Sequence, residues 1–143
     1  MENDVAGPFS TLREKTVESE KITINVGFVD LGRIDLLVSE GFYANRSDLI
    51  RTAVRNQLVL HGEAVGGALT RRTLEMGLRD YSRADLEAIR QRGERLAIRV
   101  VGLARIAADV TPDLALATIE SLTILGALQA SDEVRAALAA RIT

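Results

Sequence analysis

Three polar side chains alternate with apolar ones near the start of the chain. Lys21, Thr23 and Asn25 are separated by isoleucines and followed by a valine, which is a period of two. A period of two places alternate side chains on opposite faces of a β-strand. Lysine can donate to guanine O6 and N7, asparagine can pair with adenine N6 and N7, and threonine offers a hydroxyl and a methyl group. This polar face could therefore contact base edges, or it could simply face solvent.

A second polar group precedes a run of apolar residues with helical spacing. Asn45, Arg46 and Ser47 stand at the start of this run, and Asp48 lies three residues after Asn45, as in a capping box. The free N–H groups and the positive dipole end of a helix suit a phosphate group. Phosphate contacts fix register and carry affinity rather than sequence. We expect Asn45, Arg46 and Ser47 to contact phosphate; the alternative is an ordinary capped helix start.

Other chemistries lack the residues that they need. The chain has no cysteine, which excludes a disulfide framework, a thiolate metal site and a cysteine nucleophile. Its one histidine, His61, fits the end of a helix, and Asp132 and Glu133 fit the first turn of one. No arrangement of nucleophile and base and no glycine-rich phosphate loop is present. We therefore expect no enzyme activity, no catalytic residue, no cofactor and no metal.

A strand and two helices must position the two polar groups. Ile22, Ile24 and Val26 form the apolar face of the strand. A first helix is expected from about residue 30 to 38 with Gly41 beyond its end, and a second from residue 46 to 58. Helical character should weaken at Gly62 and again at positions 66 and 67, which are both glycine.

Residues 20–58 resemble the ribbon-helix-helix superfamily, the CopG-like group of small bacterial repressors. The matching segments are residues 21–26 (KITINV) and 41–53, of which residues 45–51 (NRSDLIR) are the most specific. The resemblance implies an obligate dimer in which the strands of two chains pair as an antiparallel ribbon. Pairing with a second chain would also satisfy an edge that has no partner within its own module. Such a ribbon fits the major groove, with Lys21, Thr23 and Asn25 facing the bases.

The rest of the chain contains an internal repeat. Moved forward by 24 positions, residues 98–119 fall on 122–143 without a gap, so that Gly102 meets Gly126 and Leu114 meets Leu138. A weaker third copy starts near residue 74. Each unit is predicted to be an apolar strand followed by a short helix, with Ser82, Thr111 and Ser131 as N-caps. Repeated strand–helix units predict parallel strands side by side, as in a short solenoid, and their apolar character predicts burial on both faces.

Charge is unevenly distributed along a chain whose net charge is −2. The module at residues 20–62 has five basic and five acidic side chains. Asp30, Asp35, Glu40 and Asp48 must therefore face away from DNA or pair with Arg33, Arg51 and Arg55. Nine arginines and five acids lie between residues 70 and 105. The arginines could extend a DNA-binding surface, or they could line a solvated helical face. Eight of them are candidates for that role: Arg71, Arg72, Arg79, Arg83, Arg90, Arg92, Arg95 and Arg99.

Together these observations predict an α+β protein with three segments. We expect a flexible arm at 1–19, a ribbon-helix-helix module for DNA binding and dimerisation at 20–62, and a strand–helix repeat at 63–143. The expected function is a sequence-specific DNA-binding transcriptional regulator, a repressor, with double-stranded DNA as its partner. The alternative is an oligomeric interaction or scaffold protein, antitoxin-like or partition-like, whose repeat binds a protein partner or itself. We expect a cytoplasmic homodimer without membrane contact, since no signal or transmembrane pattern is present.

The final repeat unit predicts a further contact between chains. A short solenoid needs a cap at its end, and residues 136–140 (AALAA) offer no polar one. We therefore expect the sheet or its last helix, including Leu138, to pack against another chain and join dimers into larger assemblies. The alternative is that the repeat folds back on the helix after Leu58 in its own chain.

Overall fold

The computed structural model describes residues 19–143, so the predicted arm lies almost entirely outside the described residues. The described chain separates into two compact units, Ser19–Ala68 and Leu69–Thr143.

The first unit begins with helix α1, Phe28–Ser39. Its end is a Schellman motif, in which Gly41 N–H donates to the Val38 carbonyl and Phe42 N–H to the Leu37 carbonyl. Gly41 has a φ of +86°, a conformation that glycine adopts without the Cβ clash of other residues. The predicted helix and the predicted role of Gly41 are both confirmed.

Helix α2, Arg46–Leu60, follows after a short turn, and helix α3 spans Gly62–Arg71. The prediction that helical character weakens at positions 66 and 67 is wrong, because both glycines lie inside α3. Glycine lowers helix stability by about 1 kcal/mol relative to alanine but does not forbid the helical backbone. His61 lies between α2 and α3 as the C-cap of α2, at the helix end where it was expected.

No residue between 19 and 68 is buried in the single chain. Several large apolar side chains are mostly exposed there, including Ile22 at 77%, Ile24 at 61% and Phe28 at 92%. A unit without buried side chains lacks the apolar burial that offsets the loss of chain entropy. Burial of apolar side chains within the single chain therefore does not account for the stability of this unit.

The second unit is a three-stranded parallel sheet in the order β1-β2-β3, with a helix after each strand. The strands are β1 (Glu75–Tyr81), β2 (Leu96–Ile106) and β3 (Ile119–Gln129). The helices are α4 (Arg83–Gln91), α5 (Pro112–Thr118) and α6 (Asp132–Leu138). The predicted parallel strand–helix repeat is confirmed.

The sequence repeat and the strand register coincide. Ile98 pairs with Leu122 and Gly102 with Gly126, which is the offset of 24 that the sequence predicts. The helices follow a different offset, because the loops before them differ in length. Residues 107–110 separate β2 from the N-cap of its helix, whereas only Ala130 separates β3 from the N-cap of its own helix. Aligning the helix starts therefore matches Leu114 with Val134, and the predicted match of Leu114 with Leu138 is wrong.

Hydroxyl side chains begin all three repeat helices. Ser82, Thr111 and Ser131 each accept a hydrogen bond from the backbone N–H three residues later. Ser82 and Asp85 form a complete capping box, and the hydrogen bonds from Ser82 hold the pKa of Asp85 below its ordinary value. The three predicted N-caps are confirmed.

The three helices cover one face of the sheet only. Leu86, Ile98, Leu122, Val134 and Leu138 belong to one aliphatic core between the helices and that face. The prediction of strands buried on both faces is wrong for the single chain, since the opposite face carries exposed Met76 and Leu125.

The prediction that Leu138 could face a partner is wrong as well. Its exposed fraction is 0%, because it completes the core of its own unit. A charge at this position would therefore unfold the unit and would not report on assembly.

A row of glycines crosses the sheet. Gly77, Gly102 and Gly126 lie in register, and all three have positive φ values, between +122° and +140°. A Cβ on Gly102 would overlap the Gly77 carbonyl, and a Cβ on Gly126 would overlap the Gly102 carbonyl. Neighbouring backbones therefore approach as closely as they do only because these positions have no side chain.

Candidate nucleic-acid interface

The three predicted base-reading residues lie in the segment before α1. Lys21, Thr23 and Asn25 are all exposed, and residues 19–27 are in neither helix nor strand in the single chain. A strand that pairs only with its copy in another chain has no ladder partner in one chain. The interchain ribbon therefore remains a prediction.

A groove connects this segment to helix α2. It has a volume of about 650 Å³, and the aliphatic side chains of Ile22, Ile24, Ile50 and Val54 are part of its lining. Charged and polar side chains also line it, namely Glu20, Lys21, Ser47, Arg51 and Arg55. Within the described part of the chain, no ion pair neutralises Lys21, Arg51 or Arg55. The structure thus brings Lys21 and Ser47 together with two arginines that were not among the predicted site residues.

The start of α2 has the predicted cap with one difference. The Asn45 side-chain oxygen accepts from the Asp48 N–H at 2.8 Å, while the Asp48 carboxylate accepts from the N–H of Ala44 at 3.0 Å. The reciprocal bond therefore goes one residue earlier than in a standard capping box. The Asn45 oxygen is used for the cap, which leaves its amide N–H groups to donate to a ligand.

Arg46 is held by Asp35, an acid that the sequence predicts to face away from DNA or to pair with Arg33, Arg51 or Arg55. Its Nε and Nη2 atoms donate to the two carboxylate oxygens of Asp35, at 2.8 and 2.9 Å. These hydrogen bonds lower the pKa of Asp35 and raise that of Arg46. The two residues are eleven positions apart on different helices, so helical spacing could not reveal the pair. To bind phosphate, Arg46 must either use donors that Asp35 does not engage or break its ion pair with Asp35.

Most of the arginine-rich segment is engaged within its own unit. Arg79 pairs with Glu75, Arg83 with Glu87, and Arg92 with Glu94. Arg95 donates to the Leu116 carbonyl, and Arg99 donates to the carbonyls of Arg72 and Thr73. These arginines stabilise surface contacts and loop ends, which is closer to the solvated-face interpretation than to an extended DNA surface.

The described residues contain neither a metal-binding cluster nor a membrane-spanning helix. Between residues 19 and 143, no group of three or more His, Cys, Asp or Glu side chains is placed to hold a metal ion. Within the same range, no helix has the length and apolar character required to cross a bilayer.

Comparison with known families gives one match over most of the chain. The profile of a family described as Ribbon-Helix-Helix transcriptional regulator matches residues 17–135, which includes the strand–helix repeat up to α6. No curated protein and no solved structure matches the chain.

Proposed function

This chain belongs to the ribbon-helix-helix transcriptional regulator family, and from that premise we propose that it is a sequence-specific repressor that works as a homodimer. The observation that carries the proposal is the lack of any buried residue between 19 and 68. Members of such a family bind DNA through a ribbon that two chains build together. An N-terminal unit that buries nothing alone fits that requirement.

The dimer would form through residues 20–26. Ile22, Ile24 and Val26 would turn toward the helices of both chains, and the backbone groups of the two segments would pair with each other. The groove beside α2 supports this arrangement, because its lining includes the aliphatic side chains of residues 22, 24, 50 and 54 and it is open in the single chain. Burial of one isoleucine or valine contributes about 1.5–3 kcal/mol, and the dimer buries each of them twice.

Lys21, Thr23 and Asn25 would then face the major groove and read base edges. The start of α2 would contact the backbone through Asn45, Arg46 and Ser47, and Arg51 and Arg55 would add positive charge beside them. The neutral net charge of the module makes local geometry decisive, since no large field draws this protein to DNA. We propose an operator with two half-sites, consistent with the twofold symmetry of such a dimer.

The test is a genome-wide map of fragments bound by the purified full chain, followed by quantitative binding to the strongest site. We expect a site with two related half-sites that the wild-type chain binds far more tightly than a scrambled sequence. Asn25→Ala should weaken that preference, whereas Gln91→Ala, an exposed change in the second unit, should leave it unchanged. A protein that shows no sequence preference, or that binds DNA as a monomer, would contradict the proposal.

A second candidate function is a scaffold whose repeat binds a protein or itself. The observation that favours it is the uncovered apolar face of the sheet, with Met76 at 66% and Leu125 at 45% exposure. In this account DNA binding would only locate the protein, and the repeat would do the work. Variants of that face would then lose function in cells while their binding to a single DNA site stayed normal.

A further inference from the structure

The face of the sheet opposite the helices has two apolar rows in register. Met76, Val101 and Leu125 form one row. Leu78, Leu103 and Ala127 form the other, with the glycine row between them. None of these six residues belongs to the core on the helix side of the sheet. They form a separate apolar surface, which we call the open face. Met76, Leu78 and Leu125 are exposed on it, whereas Leu103 on the central strand is only 8% exposed.

Charged and polar residues are confined to the ends of the open face. Arg99 and Thr123 lie at one end, and Asp80, Arg105 and Gln129 lie in register at the other. Arg105 donates to Asp80 at 2.9 Å, so the charges at that end already compensate each other. An apolar centre with a polar rim is the arrangement of a protein interface, and a solvent-facing sheet would instead alternate polar residues along each strand.

The size of the open face limits what can occupy it. With its polar ends included, the face has three strands about 4.8 Å apart and about seven residues long, which gives a surface of about 300 Å² per copy. Two such surfaces together bury about half of the smallest area typical of an independent protein complex. A foreign protein would need contacts well beyond this patch to bind from dilute solution. A second copy of this chain would not, if the two copies are already joined elsewhere.

We propose that the open face packs against the open face of a second copy of this chain. The inference rests on the proposed dimer, because the N-terminal units would hold two sheets at an effective concentration in the millimolar range. At that concentration a small apolar contact is sufficient. The result is a β-sandwich of two three-stranded sheets, with the helices of each copy on the outside.

The sequence allows a direct test, since the chain contains no cysteine. Val101 lies on the central strand, close to the middle of the open face, so it should lie near its own copy across a twofold axis. Facing sheets pack about 10 Å apart, too far for a disulfide but within reach of a bismaleimide of about that length. The control is Ala84→Cys, an exposed position on α4 on the helix side of the sheet.

In the full-length Val101→Cys protein, we expect the cross-linker to join two chains in a fraction that does not fall on dilution. Ala84→Cys should give little product. Adding Leu125→Glu to Val101→Cys should lower the yield by about tenfold or more, because a carboxylate from each copy would be buried without a partner. Leu125 is 45% exposed in the single chain, so this variant should still fold, which circular dichroism can verify.

Light scattering on the same samples separates the two proposals. A monomeric wild-type protein would refute the proposed dimer itself. A dimer in which Val101→Cys gives no cross-link would refute the open-face contact alone. Rapid labelling of the introduced cysteine by a monofunctional maleimide would then show a face awaiting another protein. Slow labelling would show a face covered by a segment of its own chain, such as residues 1–18.

Discussion

Asp35 and Arg46 form an ion pair at the start of α2, the end of the helix that we propose to contact DNA. Both residues are about half exposed, so the pair contributes little to stability, and its main effect is on where the guanidinium lies. An arginine held in a bidentate pair has fewer donors left for phosphate. In the proposed complex, Asp35 would therefore compete with DNA for Arg46, which the sequence predicts to be a phosphate ligand.

Substitution of Arg46 should weaken binding to every DNA sequence alike. We expect Arg46→Ala to flatten the dependence of log K on log salt by about 0.9 for each phosphate that the protein no longer neutralises, with no change in sequence preference. Asp35→Asn, which keeps the size of the side chain and removes its charge, should tighten binding to all sequences. Titration of binding at several salt concentrations measures both effects. An Asp35→Asn protein with weaker binding would show that the acid positions Arg46 for DNA instead of competing with it.

The same pair makes a prediction about acid. The pKa of Asp35 lies below its ordinary value of 3.8 because Arg46 donates to the carboxylate. The ion pair therefore favours the folded state above the pKa of the unfolded chain, and this contribution is lost as pH falls through the lower folded pKa. NMR titration of the carboxyl group should show the pKa returning toward its ordinary value in Arg46→Ala. An unchanged value would mean that the pair does not persist in solution.

Each single substitution on the polar face of the proposed ribbon should reduce the sequence preference by a limited amount. We expect Thr23→Ala and Asn25→Ala each to reduce discrimination between operator and scrambled DNA by about 1–3 kcal/mol, the usual contribution of one specific contact between a side chain and a base. Their affinity for non-specific DNA should change little, in contrast to Arg46→Ala. Competition binding with both DNAs measures the difference. Intact preference in Asn25→Ala would show that the ribbon does not read the sequence.

At the scale of elements, two glycines of the row distinguish the cost of backbone strain from the cost of a steric overlap between strands. Gly77 and Gly102 have similar positive φ values, but a Cβ at Gly77 meets only the Arg79 side chain at 3.7 Å, whereas one at Gly102 overlaps backbone. We expect Gly77→Ala to lower the free energy of unfolding of the second unit by about 1–3 kcal/mol from backbone strain alone. Gly102→Ala should cost several kcal/mol more or prevent folding. Chemical denaturation of both variants tests this, and equal losses would mean that the strands separate easily.

The features that the sequence predicts correctly depend on local signals or on the internal repeat. The turn at Gly41 and the caps at Ser82, Thr111 and Ser131 each follow from a few neighbouring residues, and the register of β2 and β3 follows from the internal repeat of 24 residues. The predicted weakening of the helix at positions 66 and 67 is wrong, because the low helix propensity of glycine is a small effect that the rest of the helix can offset. The Asp35–Arg46 pair and the open face could not be predicted, since both depend on how separate elements are placed together.

At the scale of the whole molecule, folding of the first unit should depend on association. We expect Ile24→Asp to give a monomer, because a charge would replace an isoleucine that is 61% exposed in the single chain and that the proposed dimer would bury. In this variant the second unit should stay folded, while the backbone amides of α1 and α2 should lose protection from hydrogen exchange. Asn25→Ala, on the opposite face of the same segment, is the matched control and should remain a dimer. A dimeric Ile24→Asp protein would place the interface elsewhere.

The glycine row also restricts how the repeat can change in length over evolution. Insertion or deletion of one residue within a strand would move a side chain into the row, where a Cβ overlaps the neighbouring carbonyl. Gain or loss of an entire strand–helix unit would instead keep glycine opposite glycine. The loops between strand and helix are free of this constraint, as the longer connection at residues 107–110 shows. Related chains should therefore differ by entire repeats or in these loops, and rarely within a strand.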